Sequence, residues 1–337
     1  MDFFALTLPR LEEYFESIGE NKAKAKAMYR KIYKENVSAL DGLGFTPKLT
    51  KRLEADFLLP EFKIEEQLEQ PEACKLLFRL ADGNKIETVL MKHQYGSGLC
   101  ISSQVGCNMG CAFCASGKLK KVRDLTAGEM ILQIVTARRL FGNITHIVVM
   151  GIGEPFDNFE SLTDALEIMN CPFGLEYGPR HITVSTCGLV PKIKELANRP
   201  HLCNLAVSLH APDNQTRSRL MPVNSAYPVE ELIGAAAEFS LLHKKKITFE
   251  YILLQGVNDS LEHAVKLADL LEDVRCYVNL IPYNETENSP FKRTDEAQMM
   301  RFYDVLKKRK MCVTIRREFG GDINAACGQL RAARLES

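Results

Sequence analysis

Three cysteines occupy the short segment Cys107-Asn-Met-Gly-Cys111-Ala-Phe-Cys114, and Gly106 and Gly110 beside them permit tight turns. Compact runs of thiolates bind iron–sulfur clusters, and three ligands leave one iron of a four-iron cluster open to an exogenous ligand. A structural zinc site is the alternative, but it requires a matching second pair of Cys or His, and none stands nearby. We therefore predict that Cys107, Cys111 and Cys114 bind a 4Fe-4S cluster.

The composition suits a globular enzyme in a reducing compartment. The 337 residues are 46% hydrophobic and 26% charged, with 43 basic and 43 acidic side chains. These proportions exclude disordered, collagen-like and coiled-coil chains, and the balanced charge argues against a polycationic coat for nucleic acid. No membrane span or signal-peptide pattern is evident. The chain has eleven cysteines, and those that cluster indicate metal binding or thiol chemistry in a reducing compartment rather than a disulfide framework. We therefore expect a cytoplasmic protein without a membrane partner.

Strand-like and helix-like segments alternate from about residue 98. The strand-like runs are LCISSQ (99–104), HIVVMGI (146–152), HITVST (181–186), NLAVSLH (204–210), ITFEYILL (247–254) and YVNLIPY (277–283). Helical periodicity lies between them, for example over 125–141 and 261–273. This alternation predicts a parallel sheet covered by helices, with functional residues at the carboxyl ends of the strands. Six units are fewer than the eight of a complete TIM barrel, so we predict an α/β fold with a partial (β/α)6 barrel.

The residues before the barrel have a different pattern. Residues 1–70 show amphipathic helical spacing, with Pro47 opening the third helix. A β-hairpin follows, in which Asp82-Gly83-Asn84 is the turn between KLLFRL and KIETVLM. The predicted units are a helical accessory domain (1–70), a β-hairpin linker (71–97), the barrel (98–318, ending in the strand CVTIRRE) and a C-terminal tail (319–337).

The motifs resemble one enzyme family over nearly the whole chain. The three-cysteine segment after the first barrel strand, and Gly151-Ile-Gly153-Glu154-Pro155 after the second, resemble the radical SAM superfamily. Eight segments in order are similar to its RlmN/Cfr group, which methylates adenosine carbons in RNA: LCISSQVGC (99–107), MGIGEP (150–155), ITVSTCG (182–188), SLHAP (208–212), RLMPVN (219–224), GVNDS (256–260), VNLIPYN (278–284) and DINAACGQL (322–330). QVGC, GEP and LIPYN resemble the RlmN branch more closely than the Cfr branch.

This resemblance implies the cofactors and the residues that bind them. The family uses a 4Fe-4S cluster and two molecules of S-adenosylmethionine (SAM) per turnover, one of which is cleaved reductively to a 5′-deoxyadenosyl radical. The motif after the second strand holds the amino group of SAM. The positions that match SAM contacts in the family are Gly153, Glu154, Ser185, Ser208, Leu209, His210 and Asn284.

The resemblance also assigns chemistry to Cys327, Cys100 and Glu87. Cys327 matches the residue that receives a methyl group from SAM, loses a hydrogen atom to the adenosyl radical and adds to the adenine ring. Cys100 matches the thiol that attacks the sulfur of Cys327, releasing methylated RNA and leaving a transient disulfide. Glu87 matches the acceptor of the ring proton. Six other cysteines match no part of this chemistry and are predicted to be buried, inert thiols: Cys74, Cys171, Cys187, Cys203, Cys276 and Cys312.

The implied substrates are an adenosine of 23S rRNA and the adenosine 3′ to the anticodon in tRNA, methylated at C2. This carbon lies between two ring nitrogens and is too electron-poor to attack a sulfonium methyl group, so a radical route is expected. The implied partners are these RNAs and an electron donor such as flavodoxin, and nothing requires more than a monomer. Basic segments at 118–123, 243–246 and 307–310 are candidates for phosphate contacts. The alternatives are a Cfr-like enzyme that methylates adenine C8 and confers antibiotic resistance, and an iron–sulfur RNA-binding protein without methyl transfer.

Overall fold

The structure is a computed structural model of the chain and describes residues 1–94, 96–285 and 289–316. Its helices are α1 (Leu8–Ser17), α2 (Ala23–Tyr33), α3 (Pro47–Asp56), α4 (Ala127–Phe141), α5 (Phe159–Asn170), α6 (Val190–Ala197), α7 (Asn214–Leu220), α8 (Val229–His243), α9 (Leu261–Leu270) and α10 (Glu296–Lys308). None of the described helices has the length and apolarity needed to span a bilayer. The strands are β1 (Lys63–Glu69), β2 (Ala73–Arg79), β3 (Lys85–His93), β4 (Gly96–Ile101), β5 (Gln104–Val105), β6 (Arg123–Asp124), β7 (His146–Val149), β8 (Ile182–Thr186), β9 (Asn204–Ser208), β10 (Ile247–Leu253), β11 (Cys276–Pro282) and β12 (Val313–Ile315).

One sheet of the described chain contains ten strands in the order β1-β2-β3-β4-β7-β8-β9-β10-β11-β12. Strands β1 to β4 pair antiparallel, whereas β4 and the strands after it in the sheet pair parallel. Parallel neighbours need long crossover connections, which the helices from α4 onward supply. The six predicted barrel strands correspond to β4 and β7 to β11, and the additional predicted strand is β12. The predicted α/β class and partial barrel are thereby confirmed.

The region before the barrel differs from the prediction in one element. Lys63–Glu69, inside the range predicted as a helical unit, is a strand that pairs antiparallel with β2. Its sequence KIEEQLE is rich in charge because β1 is the edge of the sheet, where charged side chains prevent further pairing. The predicted hairpin is continuous with the barrel sheet, since β3 pairs with β4. The predicted tail at 319–337 lies outside the described residues.

The N-terminal helices pack against the outer helices of the barrel. Phe3 and Phe4 lie against Tyr33 with ring centroids 5.5 and 5.9 Å away, in an aromatic cluster that also contains Tyr29. A salt bridge between Arg10 and Asp164 joins α1 to α5. The rings of Tyr29 and Tyr33 also lie against Gly174, beyond α5, so burial of the cluster holds the helical unit to one side of the barrel.

A buried glutamine on α4 holds the carboxyl end of the first barrel strand. Gln133 Oε1 accepts hydrogen bonds from the Ser102 backbone N–H and from Thr88 Oγ1, both at 2.8 Å. Its Nε2 donates to the Ser102 carbonyl at 3.0 Å. All three residues are buried, so no water replaces these bonds when the glutamine is lost. This link sets where the chain leaves β4 and enters the cysteine loop.

We expect Gln133→Leu to lower the free energy of unfolding by about 2–5 kcal/mol, because it leaves both polar groups of the Ser102 backbone buried without partners. Thr88→Val is the matched control, since it removes a single hydrogen bond at constant shape and should cost about 1 kcal/mol. Urea unfolding of the two variants measures the difference. Equal losses would contradict the role of Gln133.

Candidate active site

A cavity opens at the carboxyl ends of the parallel strands. Its wall includes eight of the residues predicted from sequence: Cys107, Cys111, Cys114, Gly153, Glu154, Ser185, Ser208 and His210. They come from the cysteine loop and from the ends of β7, β8 and β9. Parallel pairing brings these segments, which are distant in sequence, to one edge of the sheet.

The cysteine loop is folded tightly between β5 and β6. Gly106 has φ +76°, and a Cβ there would lie 2.2 Å from the Lys120 carbonyl oxygen, so only glycine fits. Within the loop, the Cys114 N–H donates to the Cys111 carbonyl at 3.1 Å. The Ala112 N–H donates to the Leu220 carbonyl at 2.9 Å and so ties the loop to the end of α7. The backbone therefore fixes the positions of the thiols.

The three thiols suit a cluster that is bound through several iron atoms better than a single metal ion. Burial raises the pKa of Cys107 to about 11 and that of Cys111 well above its ordinary range, and each is raised further by the charges of the neighbouring thiols. Among the described residues, no three His, Cys, Asp or Glu side chains could hold a single metal ion. A four-iron cluster binds one thiolate at each of its ligated irons, so its ligands surround a cube rather than one point. The set of three soft sulfur ligands on one wall matches that requirement.

Glu154 joins the ends of two barrel strands. Its Oε1 accepts from the Phe156 N–H at 3.0 Å, and its Oε2 accepts from the Cys187 N–H at 2.8 Å. Burial raises the pKa of this carboxyl group, against the opposing effect of these hydrogen bonds. Gly153 has φ +109°, and a Cβ there would lie 2.6 Å from Gln104 Cβ. The pair therefore brings backbone and carboxylate close to the cavity.

His210 has an unusual backbone and a fixed ring. Its φ is +59°, in the left-handed region, and its Nδ1 accepts a hydrogen bond from the Ile252 N–H at 3.1 Å. This bond places the proton of the neutral ring on Nε2. Burial, reinforced by the positive charge of Arg217, lowers the pKa of His210 to about 3. The ring is therefore a neutral wall of the cavity at physiological pH.

Two predicted SAM positions are not on the cavity wall. The side chain of Leu209 is fully buried in the core, and its backbone N–H donates to the Glu250 carbonyl. Its carbonyl accepts from Arg217 Nε, so only the second lone pair of that carbonyl is left for a ligand. Asn284 follows β11, is partly exposed and does not line the cavity. Ser185 and Ser208 lie on the wall at the ends of β8 and β9.

Cys100 and Glu87 share one face of the sheet, beside the cavity. Cys100 pairs with Val89 across β3 and β4, and Glu87 lies two residues from Val89 on the same side. Cys100 packs in an apolar cluster with Met150, which lines the cavity. Glu87 is 4% exposed, and its Oε1 lies 3.3 Å from Lys75 Nζ. The third predicted catalytic residue, Cys327, lies outside the described residues.

The cavity also contains residues that the sequence analysis did not select. Glu250 aligns with Ser208 in the register of β9 and β10, and it is buried on the cavity wall. Its Oε2 accepts from Asn279 Nδ2 at 2.9 Å and lies 4.0 Å from Arg316 Nη1. A single carboxylate in the apolar run ITFEYILL is the signal that marks it.

Of the six cysteines that were predicted to be buried, inert thiols, five are buried and Cys312 is not. Cys187 is buried, but it lines the cavity. Cys312 is exposed, because it precedes β12 at the edge of the sheet, where Lys246 Nζ lies 3.3 Å from its Sγ. The other four are buried, as predicted: Cys74, Cys171, Cys203 and Cys276.

Known proteins resemble this chain along nearly its full length. The model of the radical SAM superfamily matches residues 101–268. A Thermoanaerobacter sp. protein named "Probable dual-specificity RNA methyltransferase RlmN" is 44% identical over 334 residues, 98% of each chain. A Listeria welshimeri protein of the same name is 45% identical over 346 residues, covering 99% of this chain and 94% of the other. The crystal structure of a radical SAM methyltransferase from Sphaerobacter thermophilus has 41% identity and a TM-score of 0.92, covering 98% of this chain and 99% of that one.

The partial barrel and the cysteine loop at its open end define a radical SAM protein, a class that employs SAM and a 4Fe-4S cluster. With identities of 44% and 45% to RlmN proteins over nearly its whole length, the chain belongs to the RlmN family. The family predicted from the motifs is thereby confirmed.

The depressed pKa of His210 predicts a pH-dependent loss of stability. In the unfolded chain a histidine titrates near 6.5, so between about pH 6.5 and pH 3 the unfolded state binds a proton that the folded state does not. The free energy of unfolding therefore decreases as the pH is lowered through this window, and this residue accounts for up to about 1.4 kcal/mol per pH unit. We expect His210→Asn, which keeps a polar group near Nδ1 and tolerates the left-handed backbone, to lower that slope. Urea unfolding of the metal-free chain between about pH 7 and pH 5 tests this, and parallel curves would contradict it.

Proposed function

We propose that the chain is a radical SAM methyltransferase that methylates C2 of an adenosine in 23S rRNA, and of the adenosine 3′ to the anticodon in tRNA. The observation that carries the proposal is the cavity, where the three-cysteine loop, Gly153, Glu154 and the strand-end serines share one wall. RlmN proteins at 44–45% identity, named as dual-specificity RNA methyltransferases, support the RNA substrate. Adenine C2 cannot react as a nucleophile, which favours the radical route that this class supplies.

The residues of the cavity have separate roles in this proposal. Cys107, Cys111 and Cys114 hold the cluster. SAM is held by five residues of the cavity wall, Gly153, Glu154, Ser185, Ser208 and His210, and by two residues outside that wall, Asn284 and the backbone of Leu209. When bound, the cluster and SAM supply the 5′-deoxyadenosyl radical, and two SAM molecules are consumed per turnover. The neutral His210 and the apolar side chains of Phe113 and Met150 line the same cavity and limit the access of water.

The two further thiols carry the methyl group and release the product. Cys327 holds the methyl group as S-methylcysteine and becomes bonded to the adenine ring through its methylene carbon. The Cys100 thiolate then attacks the sulfur of Cys327, and the bond from that sulfur to the methylene carbon breaks as a transient disulfide forms. The methylene carbon keeps the electron pair and takes up a proton, which leaves a methyl group on adenine C2. The burial of Cys100 near Met150 supports a role late in the reaction. A thiol shielded from solvent is protected from oxidation before Cys327 has become bonded to the adenine ring.

Glu87 accepts the proton that leaves the ring carbon. A base must be ionised to do this, and the carboxylate of Glu87 is buried on the inner face of the sheet. The ammonium group of Lys75, 3.3 Å away, supplies the compensating charge. The pair lies on the face that Cys100 occupies, which supports a common role.

The basic segment at 118–123, which leads into β6, has less positive charge available to RNA than its sequence suggests. Lys121 Nζ lies 2.8 Å from both Asp124 and Asp157, and Arg123 is paired with Asp82 and Glu129. These internal salt bridges neutralise two of its cations. The phosphate contacts of the substrate therefore depend more on other basic residues, and the dependence of binding on salt should be modest.

The test of the function is the identity of the product. Anaerobically reconstituted chain with SAM, a reductant and protein-free 23S rRNA or tRNA should yield 2-methyladenosine, identified by mass spectrometry of the nucleosides. 8-Methyladenosine would instead assign the chain to the Cfr-like alternative. No methylated adenosine in either RNA, with the cluster present, would favour an iron–sulfur RNA-binding protein.

Variants of the two thiols test the covalent route. We expect Cys327→Ala to reduce methylated product to background, because no methyl carrier remains. Cys100→Ala should accumulate a covalent protein–RNA adduct, visible as a band of reduced mobility in a denaturing gel. Cys203→Ala, a buried thiol far from this chemistry in sequence, is the control and should behave like the parent. Full methylation by Cys327→Ala would refute the S-methylcysteine intermediate.

Single alanine variants of Cys107, Cys111 and Cys114 test the cluster ligands. Each removes one of three thiolates, so the iron content after reconstitution should fall from about four atoms per chain towards background. Cys187→Ala removes a thiol from the same cavity wall but not from the loop, and it should keep the parent iron content. If Cys187→Ala lost iron and the three loop variants kept it, the assignment of the loop cysteines as cluster ligands would be contradicted.

A further inference from the structure

Arg217 is a completely buried cation that lies against the carboxyl ends of β8 and β9. It lies on α7 with no exposed surface. Its Nε donates to the Leu209 carbonyl at 3.1 Å, and its Nη1 donates to Asn224 Oδ1 at 3.0 Å. Its Nη2 donates to the carbonyls of Cys187 and Ser208 at 2.6 and 3.2 Å. The four hydrogen bonds that the guanidinium makes within the described residues therefore all go to neutral acceptors.

The positive charge of Arg217 is not balanced in the same way. No salt bridge among the described residues includes it, and its hydrogen-bond acceptors are carbonyl and amide oxygens. A buried charge without an opposite charge is strongly unfavourable, so such groups are normally paired. The absence of a carboxylate partner in the described chain indicates an anion that arrives with a ligand.

The surroundings of Arg217 identify where that anion binds. Burial lowers the pKa of Arg217 to about 10, against the opposing effect of the nearby Cys187 and of Cys111, a predicted cluster ligand. The helix that carries Arg217 also receives the hydrogen bond from Ala112 to the Leu220 carbonyl, so it is attached to the cysteine loop. Arg217 lies directly behind the cavity wall, since Cys187 and Ser208, whose carbonyls accept hydrogen bonds from its Nη2, both line the cavity. Arg217 itself does not line the cavity.

We propose that Arg217 is a buried positive charge that raises the reduction potential of the 4Fe-4S cluster held by Cys107, Cys111 and Cys114. This inference rests on the proposed function, which places the cluster on these thiols. Each thiolate adds a negative charge, and reduction adds an electron, so the reduced state is the more negative one. A fixed cation in a region of low dielectric constant stabilises that state more than the oxidised state. Arg217 thus acts through its field as a positioning residue and not as a ligand.

The test is a redox titration of the reconstituted holoenzyme, followed by electron paramagnetic resonance of the reduced cluster. Arg217→Gln removes the charge, and we expect the equilibrium constant for reduction to fall at least tenfold, a shift of about 59 mV to more negative potential. Arg217→Lys keeps the charge but loses donors, so its potential should stay closer to that of the parent. Circular dichroism and iron content verify that each variant is folded and loaded.

A second variant keeps the test decisive if Arg217→Gln does not fold. Asn224→Asp leaves Arg217 in place and puts a carboxylate at its Nη1, which neutralises the charge and should lower the reduction constant in the same direction. A parent-like potential in a folded, loaded variant that lacks the net charge would overturn the role of Arg217, as would equal shifts in the Gln and Lys variants. A parent chain that binds no cluster would overturn the proposed function itself.

Discussion

The parallel pairing of β4 and β7 to β11 is the constraint on which the site depends. Parallel strands start at one edge of the sheet and finish at the other, so six connections of unrelated sequence meet at the same edge. Because neighbours are paired residue by residue, the register decides which side chains share a level. Ser208, Glu250, Asn279 and Thr314 lie side by side for this reason, although they are distant in sequence.

The strand ends are then locked together by buried polar groups. Glu154 binds the backbone at the end of β8, Arg217 binds the backbone at the ends of β8 and β9, and Gln133 binds the backbone at the end of β4. Each of these three side chains connects elements that could shift relative to one another if apolar packing alone held them. Buried hydrogen bonds are directional, so they fix positions that dispersion contacts do not. A reactive radical needs such a fixed and enclosed site.

Charged and neutral groups occupy different positions in and around the cavity. The thiols of the cysteine loop favour the protonated state in the metal-free chain, because burial and mutual repulsion raise the pKa values of Cys107 and Cys111. Metal binding must therefore release protons from them. Arg217 supplies a positive charge behind this wall, and the neutral His210 adds none. On the inner face of β3, Glu87 and Lys75 form a separate charged pair. Neither member of this pair lines the cavity that contains the cysteine loop.

The sequence alone determined the cysteine loop, the repeated β/α units and the family. The loop is local, so the spacing of its cysteines and glycines defines it without knowledge of the rest of the fold. Buried parallel strands read as short, nearly continuous apolar runs, so their composition and length identify them. The edge strand Lys63–Glu69 was missed, because its charged residues resemble an exposed helix more than a strand. Only the tertiary structure placed Glu250 and Cys187 on the cavity wall and Arg217 buried behind it, since these positions depend on strand register and on burial. A charge in a sequence has the same letter whether it is solvated or buried, and the fold alone decides which of these it is.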